Sequence, residues 1–598
     1  MIEDIYEPLA LFRDSLKEQH RESTAEFFEE LVRRSGVDEA ANKKTVAVIR
    51  KLDTELTAEG RRESRWKFVR LLFWLVTAIC VACLVLYGVG LYDGKVPFHL
   101  YWSVAALVGA GGTIYGAVAK LNPLLRSIRE QLQKLQEQRA SELSKAWQQM
   151  APLNRLYDWD MGAKLVQQTV PRLELDPYMT NGRLEEMRQS FGWSDNFNSN
   201  KSVLCTLSGH INGNPFVVAE TLDFHMGTKT YTGSKMISWQ ELERYTDSQG
   251  RSRTRYVTRH QTLTASVTKP APEHSPNKMV IYANEAAPTL TFSRHPSELS
   301  TAGDGVMDKW RKSRKIKQLE KLSRNLDDDS GYTIMSNKEF AALFHATDRN
   351  DEVQFRLLFT PMAQQQMVLL LKDKEVGYGD NFLFRKERMI NMVEPSHLAK
   401  VELGPDPSKF HSYDLAAARQ FFNDFNNDYF KAIFFAMAPL LTIPLYQQHR
   451  SHADIYKDVY SKEASFWEHE AIANAHGQNV FRHPDSKTPN ILKTVAGNID
   501  DGVREVAVTA YGFRTEQRTD YVSKLGGDGR WHQVPVEWTE YLPVSRTTPL
   551  AVREVEGMAG YEYEEAGATP EWQEFFEKWK TEQAQTLCRR SLVSFVKR

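Results

Sequence analysis

Cysteine is scarce in this sequence, with four residues in a chain of 598. Cys80 and Cys83 lie inside an apolar segment, and Cys205 and Cys588 stand far apart. Small disulfide-held domains need many closely spaced cysteines, and zinc sites need regularly spaced ones, so both classes are excluded. This usage suits a chain that folds in a reducing cytoplasm.

An excess of charge of either sign is also missing. Lys and Arg number 76 against 77 Asp and Glu, which leaves a formal net charge of −1. A protein whose whole surface attracts nucleic acid carries a clear basic excess. We therefore expect no nucleic-acid partner, although a local basic patch is compatible with this balance.

Sequence signatures of catalysis are missing as well. The chain has no GxxxxGK[ST] phosphate loop, no GxGxxG between a strand and a helix, and no GxSxG nucleophile elbow. Cys205 falls in a predicted strand, where a small buried residue is a simpler interpretation than a nucleophile. We expect no cofactor, and an enzyme would need an unfamiliar site.

Two long apolar segments are present near the start of the chain. Leu71–Tyr92 is 22 residues without a charge, and Pro97–Ala119 carries only His99. Each can cross a hydrocarbon layer of about 30 Å as a helix. The short turn Asp93-Gly94-Lys95 joins them, so residues 68–120 are predicted to form a transmembrane helical hairpin. The alternative, a buried soluble hairpin, is disfavoured because soluble helices seldom run this long without charge.

Basic residues surround the hairpin and predict its orientation. They are Arg61, Arg62, Arg65, Lys67 and Arg70 before the first segment, and Lys120, Arg126 and Arg129 after the second. Positively charged flanks resist translocation, so both flanks and both chain termini are expected in the cytoplasm. The acidic N-terminus Met1–Asp4 lacks an apolar core, which leaves the first segment to direct insertion into the bilayer.

Small residues recur at a spacing of four in the second segment. Ala105 and Gly109 form one such pair, and Gly112 and Gly116 form another. Small side chains at this spacing allow a second helix to approach closely in lipid. The packing partner is either the first segment of the same hairpin or a second copy of the protein.

Helical patterns flank the hairpin on both sides. Residues 1–67 show helical apolar periodicity interrupted at Gly36. Residues 121–170 begin with Leu121, Leu125, Ile128, Leu132 and Leu135, whose alternating steps of four and three are typical of a coiled coil. We therefore predict a helical stalk that continues the hairpin, with a second protomer as a further packing partner.

The next region, residues 195–300, has the pattern of an antiparallel β domain. Ser202–Ile211 and Phe216–Phe224 read as strands on either side of the turn Asn212–Pro215. A second hairpin is predicted from Tyr245–Gln249 and Arg255–Val267, closed by Pro270, Pro272 and Pro276.

A basic segment at residues 301–336 is predicted to be a helical linker. Its cations include Lys309, Arg311, Lys312, Arg314, Lys315 and Lys317. A basic helix in a membrane-anchored protein can rest on anionic lipid headgroups. Contact with RNA, contact with an acidic partner and a merely solvated helix are the alternatives.

Residues 337–404 have the signals of an α+β subdomain. Asn337 is placed to cap a helix, Val353–Phe359 reads as a strand, and Thr360-Pro361 begins a further helix to Lys372. Asn381–Phe384 and Met389–Val393 are predicted to pair as a hairpin.

The remaining chain divides into three predicted regions. Residues 405–500 are expected to be helical, with the apolar run Ile433–Tyr446 as a core helix or as a segment that dips into the membrane surface. Residues 501–568 form a second β region, whose turn near Gly526–Gly529 resembles Gly250-Arg251 and hints at a duplication. Residues 569–598 are predicted to form a last helix.

Histidines supply the best candidate for chemistry. His469 and His476 are seven apart, so about 10.5 Å of helical rise separates them, and His483 follows in a loop that could fold back. Zinc proteases space their helical histidines four apart, which makes a metal site on these three residues a weak hypothesis. Hydrogen-bonded or surface histidines are the default interpretation. A second cluster of His449, His452 and Asp454 is no stronger.

A family resemblance emerges from two sets of residues. These are Gly209–Phe216 with Glu220, and Phe340, Phe344 and Asp351–Pro361. The pattern resembles uncharacterised bacterial inner-membrane proteins that have two spans before a cytoplasmic α+β domain and are often encoded near LemA-type membrane proteins. The resemblance implies that architecture, a bacterial inner membrane and a LemA-type partner, but no activity. It does not extend to residues 228–261 or beyond about residue 404.

The sequence thus predicts an α+β protein with a transmembrane hairpin, a coiled-coil-like stalk and antiparallel β-rich cytoplasmic domains. The favoured function is a membrane-anchored interaction, scaffold or sensor protein, with the bilayer and a possible homo-oligomer as its partners. A metal-dependent hydrolase on the three histidines is the first alternative. An oligomeric pore is the second, and it is weakened because neither span offers a charge to line a pathway.

Overall fold

A computed structural model describes residues 6–92, 100–170, 172–246, 248–301, 305–324, 332–450, 463–500, 502–554, 584–589 and 592–597. The chain divides into two compact units. The helical unit comprises Phe27–Tyr157 and Ser408–Asn423, and the α+β unit comprises Met1–Glu26, Asp158–Pro407 and Asp424–Arg598. The mixed α+β fold class agrees with the prediction.

The helices fall in three groups along the chain. Those up to residue 170 are α1 (Pro8–Leu11), α2 (Lys17–Ser35), α3 (Glu39–Tyr92), α4 (Leu100–Tyr115), α5 (Asn122–Asn154) and α6 (Met161–Thr169), with π-helical turns at Phe12–Leu16 and Gly116–Leu121. Then come α7 (Asn181–Phe191), α8 (Val306–Arg324), α9 (Lys338–Phe344), α10 (Glu352–Leu358) and α11 (Pro361–Lys372). The last are α12 (Leu415–Leu441), α13 (Phe466–Ala475) and α14 (Gln478–Phe481).

The strands form two antiparallel sheets in the α+β unit. The strands of the first sheet are β1 (Leu173–Leu175), β2 (Lys201–Ile211), β3 (Asn214–Thr246), β4 (Ser252–Ala283), β5 (Thr291–Arg294), β6 (Phe382–Glu387) and β7 (Ile390–Pro395). Those of the second are β8 (Ile491–Asp500), β9 (Val503–Leu525), β10 (Trp531–Glu554), β11 (Ala584–Arg589) and β12 (Leu592–Lys597). Their orders are β1-β2-β3-β4-β7-β6-β5 and β11-β12-β10-β9-β8.

The helical unit contains two helices that are long and apolar enough to cross a membrane. They span Glu39–Val85 and Val104–Asn154, and only 6% and 17% of their most apolar windows are buried. The alternative of a buried soluble hairpin does not fit this exposure, because a soluble core helix covers its apolar side chains. The predicted turn Asp93-Gly94-Lys95 and His99 lie outside the described residues.

Close packing joins the two apolar helices. Thr77 and Thr113 share a hydrogen bond of 2.8 Å between their hydroxyls. A Cβ added at Gly116 would stand 2.5 Å from the Phe73 ring, and one at Gly109 would stand 3.4 Å from the Cys80 sulfur. These two glycines therefore pack within the hairpin, whereas Ala105 and Gly112 are exposed.

The stalk predicted beyond the hairpin is a pair of helices, α3 and α5. Arg139 bonds Asp53 at 2.5 Å, and Arg129 bonds Glu63 at 2.9 Å. The predicted range 121–170 is too long, however. Helix α5 ends at Asn154, and residues from Asp158 belong to the α+β unit, where the Asp158 side chain accepts a bond from the Asp160 amide and opens a turn before α6.

The first sheet joins two regions that are predicted as separate domains. Strand β4 pairs with β7, so residues 195–300 and 337–404 contribute to one sheet. Likewise β8, inside the predicted helical region 405–500, pairs with β9 of the second β region. The first error arises because β4 and β7 are distant in sequence and their pairing leaves no local signal. The second does not, because β8 and β9 are consecutive strands and the Asp501-Gly502 sequence between them is a local hairpin signal that the helical prediction overlooks.

Two β ribbons extend from the sheets. The first ribbon is β3 with β4, and the second ribbon is β9 with β10. The predicted hairpin of Ser202–Ile211 and Phe216–Phe224 is confirmed as β2 with the start of β3. The predicted hairpin of Tyr245–Gln249 and Arg255–Val267 covers only the tip of the first ribbon, whose pairing continues without a break to Phe216 and Tyr282. Each ribbon turns at a glycine in the left-handed region, Gly250 with φ +77° and Gly529 with φ +74°.

Prolines do not close the first ribbon as predicted but lie within β4. Pro270, Pro272 and Pro276 occupy alternate positions, so their missing N–H groups fall on one edge of the strand. Since pairing with β3 is continuous, that edge faces away from β3, where proline costs no ladder hydrogen bond. The second ribbon has the same arrangement at Pro535, Pro543 and Pro549.

Two further predictions of local structure are wrong. Val353–Phe359 is not a strand, because Asp351 caps α10 and Phe355 and Leu358 are buried at helical spacing. The predicted C-terminal helix fails where the chain is described, since 584–589 and 592–597 are strands and β12 pairs with the end of β10. Residues 569–583 lie outside the described part.

The apolar run Ile433–Tyr446 belongs to the core. Ile433 and Ala436 are fully buried in α12, and Tyr446 follows in a buried turn. The core interpretation is therefore correct, and the membrane-dipping alternative is not. Nearby predictions also hold: Asn337 caps α9, Thr360 caps α11, and Pro361 occupies the first turn of α11.

Candidate functional site

A cavity of about 840 Å³ opens in the α+β unit where the two ribbons leave their sheets. We call it the aromatic cavity. It is lined by Asn198, Ser199, Asn200, Phe224, His274, Phe466, Glu470, Ile491, Lys493, Thr494, Tyr511, Gly512, Phe513, Pro543, Val544 and Ser545. Its size lies within the range of about 300–1,000 Å³ that is usual for small-molecule sites.

Stacked rings form one wall of the cavity. Phe224 of the first ribbon stacks on Phe513 of the second, with ring centroids 5.6 Å apart. His274 lies 5.3 Å from Phe224, and burial lowers its pKa, so the imidazole is neutral near pH 7. Tyr511 is 51% exposed at the cavity. This wall therefore offers flat apolar surface to a ligand.

A buried ion pair contributes the charged part of the lining. The Glu470 carboxylate accepts bonds from the Val203 amide at 3.0 Å and from the Lys493 ammonium at 3.3 Å. Lys493 also donates to the Asn198 carbonyl oxygen. Burial raises the pKa of Glu470 to about 7 and lowers the pKa of Lys493. Burial opposes both charges and their mutual attraction favours them, so uptake of one proton by Glu470 leaves the wall with the positive charge of Lys493.

Asn198 adds a polar group beside the pair. Its side-chain nitrogen lies 3.2 Å from both oxygens of Glu470. Its side-chain oxygen is buried without a hydrogen-bond partner among the described residues. A buried acceptor left unpaired costs about 1–3 kcal/mol, so the fold tolerates an unfavourable polar atom beside the pair.

Helix α13 holds Glu470 in position because its other side chains contact neighbouring parts of the α+β unit. Trp467 is buried against the first sheet, and Glu468 accepts bonds from the Met179 amide at 3.0 Å and the Thr206 hydroxyl at 2.5 Å. Asn474 donates to the Ser202 hydroxyl at 2.8 Å. These contacts fix the helix against β2, and Glu470 then reaches the cavity.

The three histidines proposed as metal ligands have separate environments. His469 is buried, and neither of its ring nitrogens bonds a residue in the described part of the chain. His476 bonds the Ser594 hydroxyl at 2.8 Å, and His483 accepts from the Asp485 amide at 3.2 Å. Burial lowers the pKa of His469 and of His476 to about 4. No group of three His, Cys, Asp or Glu side chains suited to a metal occurs in the described part of the chain. His449 is exposed, while His452 and Asp454 lie outside that part.

The predicted membrane-contact residues lie on α8 and divide into two sets. Lys309, Arg311, Arg314 and Lys317 are exposed. Lys312 pairs with Glu339, and Lys315 bonds His345 at 2.7 Å. The apolar stripe of Ile316, Leu319 and Leu322 is at least half-buried, and Leu319 belongs to the core against which Leu322 packs. Thus α8 is a surface helix of the α+β unit with a basic outer face.

Sequence reasoning missed most of the aromatic cavity. It singled out the segment of Glu470 for its histidines, but neither Lys493 nor Asn198 stood out. A glutamate among apolar and aromatic residues on a helix was the available signal, because such a carboxylate needs a partner. The identity of that partner depends on contacts between distant segments.

No protein-family model, curated protein or solved structure matches this chain.

Proposed function

We propose that this protein is a membrane-anchored sensor. In this proposal the apolar hairpin holds the chain in a bacterial inner membrane, and the α+β unit binds a small aromatic or apolar anion in the aromatic cavity. The observation that carries the proposal is the cavity itself, with a stacked aromatic wall and a buried Glu470–Lys493 pair. A scaffold that only binds protein surfaces has no need of such a cavity.

The chemistry of the lining favours an anionic ligand. A ligand carboxylate can replace Glu470 as the counter-ion of Lys493 if Glu470 takes up a proton. The raised pKa of Glu470 makes that protonation inexpensive near pH 7. Rings on the ligand would then stack against Phe224 and Phe513.

The membrane part of the proposal rests on the hairpin and on its basic flanks. The family resemblance adds a bacterial inner membrane and a LemA-type partner. Ala105 and Gly112 remain exposed, which is compatible with a second copy of the protein packing beside the hairpin in lipid. The metal-dependent hydrolase is not proposed, because the histidines do not gather.

Cysteine labelling tests the proposed topology. Single cysteines at Lys51, Gly94 or Lys134, in a chain whose native cysteines are replaced by alanine, are treated with a membrane-impermeant maleimide. We expect G94C alone to react in intact bacterial spheroplasts, and K51C and K134C to react only after lysis, because basic flanks stay in the cytoplasm. Labelling of K51C or K134C in intact spheroplasts would contradict the proposed topology.

Saturation-transfer NMR tests the cavity with indole-3-acetate, benzoate and 1-naphthoate as probes. We expect at least one probe to receive saturation from the full chain in detergent, and Val544→Trp to reduce that signal at least fivefold because the indole fills the cavity. Val495→Trp is the matched control, since Val495 is 70% exposed on β8 and does not line the cavity.

Two outcomes would count against the sensor proposal. One is an absence of saturation transfer to all three aromatic acids. The other is an equal signal from the Val544→Trp and Val495→Trp proteins, which would place the binding outside the aromatic cavity.

A further inference from the structure

A second pocket of about 680 Å³ lies beside α8. We call it the basic pocket. Its walls are the Trp310–Gln318 face of α8, the segment Ser293–Leu299 that begins at the end of β5, and residues 345–348 after α9. It lies in the α+β unit and shares no lining residue with the aromatic cavity.

Two basic side chains meet directly in this pocket. The Lys315 ammonium lies 2.7 Å from Nε2 of His345, so Lys315 donates and Nε2 accepts. The hydrogen of a neutral His345 ring must then reside on Nδ1. That nitrogen is buried and has no hydrogen-bond partner among the described residues. The contact therefore leaves unused N–H donors, on His345 and on the ammonium.

Two nearby carboxylates, Asp348 and Asp380, bond other groups instead of these donors. Asp348 accepts bonds from the amide and hydroxyl of Ser293, at 3.0 Å and 2.5 Å. Asp380 pairs with Arg294 at 2.7 Å, and both side chains are fully buried. With the Arg294–Asp380 pair set aside, the lining holds two carboxylates, Glu298 and Asp348, against three cations: Arg311, Arg314 and Lys315. Positive charge and hydrogen-bond donors therefore exceed acceptors on the α8 side.

The mouth of the pocket adds exposed apolar surface. The Arg314 guanidinium lies over the Trp310 ring, 5.4 Å from its centroid. Trp310 is 56% exposed, and Met307, one turn earlier on α8, is 65% exposed. Lys309 and Lys317 extend the positive charge along the same helix.

We infer that the basic pocket binds a phosphate group, held by Arg314 and Lys315, with His345 bonded to the Lys315 ammonium. A phosphate monoester carries a charge of about −1.5 to −2 and three acceptor oxygens, which matches several converging donors better than a single carboxylate does. The planar guanidinium of Arg314 can bind two phosphate oxygens, and Lys315 supplies a point charge. The phosphate belongs either to a lipid headgroup or to a soluble phosphate compound. This inference does not depend on the sensor proposal.

Isothermal titration of the full chain in neutral detergent tests the inference with two probes. Inorganic pyrophosphate represents the soluble source, and dioctanoyl phosphatidic acid represents the lipid source, with dioctanoyl phosphatidylcholine as the lipid control. We expect at least one phosphate probe to bind. Arg314→Gln and Lys315→Met should each weaken that binding about tenfold or more, the effect of losing one charge-assisted hydrogen bond.

Lys321→Gln is the matched control, because Lys321 is exposed on the same helix and does not line the pocket. It should change affinity less than about twofold, the remaining effect being long-range attraction that salt screens. Unchanged circular dichroism of Arg314→Gln, whose side chain is exposed, separates a lost site from a lost fold.

The outcomes distinguish the two sources. Binding of both probes with mutual competition supports one pocket that recognises the shared phosphate, whereas binding of phosphatidic acid alone assigns the lipid and binding of pyrophosphate alone assigns a soluble compound. Failure of both probes, or equal affinity in the wild type, Arg314→Gln and Lys315→Met, would overturn the inference.

Discussion

Gly233→Ala is expected to separate the two β ribbons and to lower the free energy of unfolding by about 3 kcal/mol. A Cβ at Gly233 would stand 2.0 Å from the Pro535 carbonyl oxygen and 2.9 Å from Cα of Val536. Both are backbone atoms of a paired strand, so no side chain can rotate away. The ribbons must move apart instead, which opens the small core between them. Urea unfolding of the full chain in detergent measures the loss.

The core at risk is shared by both ribbons. It consists of Ile237, Leu263, Ala265, Val534 and Val536, all buried. Hydrogen exchange at the amides of the second ribbon gives a local readout, because separation exposes that core to solvent. Protection near Val534 and Val536 should fall in the Gly233→Ala protein.

Gly227→Ala is the matched control in the same strand. A Cβ there meets the Glu273 carboxylate oxygen at 2.3 Å, but that oxygen ends a flexible side chain. We expect the unfolding free energy to change by less than about 1 kcal/mol. The sign is not fixed, because moving the Glu273 side chain destabilises the strand whereas replacing glycine by alanine stabilises it. Equal losses of unfolding free energy in the two variants would show that Gly233 is not needed for the close approach of the ribbons.

The ribbons also explain where sequence reasoning succeeds and fails. The turns at Asn212-Gly213 and Gly526–Gly529 were predicted, because turn chemistry is local. Residues 225–244 of β3 were not recognised as a strand, since Thr, Lys, Gly and Ser there alternate poorly. Pairing with β4 and packing on the second ribbon stabilise them, and neither contact leaves a local signal.

Helix ends followed the same rule. Asn337, Thr360 and Pro361 were recognised because a cap acts within one turn. Val353–Phe359 was predicted as a strand but is a helix. A short apolar run fits both the helical and the strand periodicity, and only the burial of its residues in the structure identifies the helix. The apolar hairpin was the easiest element, since its length alone restricts the alternatives.

The candidate site was the part of the structure that was hardest to predict from the sequence. Glu470 and Lys493 are 23 residues apart, and Asn198 is 272 residues from Glu470. The three meet only because α13 packs against β2 and β8. Glutamate, lysine and asparagine are ordinary residues on a protein surface. Here their burial makes them the polar wall of the aromatic cavity, and burial depends on the assembled fold.

Glu470→Gln is expected to remove part of the pH dependence of stability. The pKa of Glu470 is raised from 4.5 to about 7 by burial, so the folded protein holds this proton more tightly than the unfolded chain does. The resulting stabilisation is complete below about pH 4.5 and is lost as the pH rises through 7. Relative to the wild type, Glu470→Gln should therefore gain up to about 3 kcal/mol between about pH 4.5 and pH 8.

Urea unfolding at about pH 5 and about pH 8 measures this change. Glu505→Gln, which removes an exposed carboxylate from β9, is the control and should keep the same difference from the wild type at both values. Lys493→Met removes the attraction that opposes the raised pKa, so it should steepen the loss of stability between the two values. A difference between Glu470→Gln and the wild type that does not vary with pH would mean that Glu470 stays ionised in the folded protein. Glu470 would then be a fixed counter-ion of Lys493, with no proton to exchange when an anionic ligand enters the cavity.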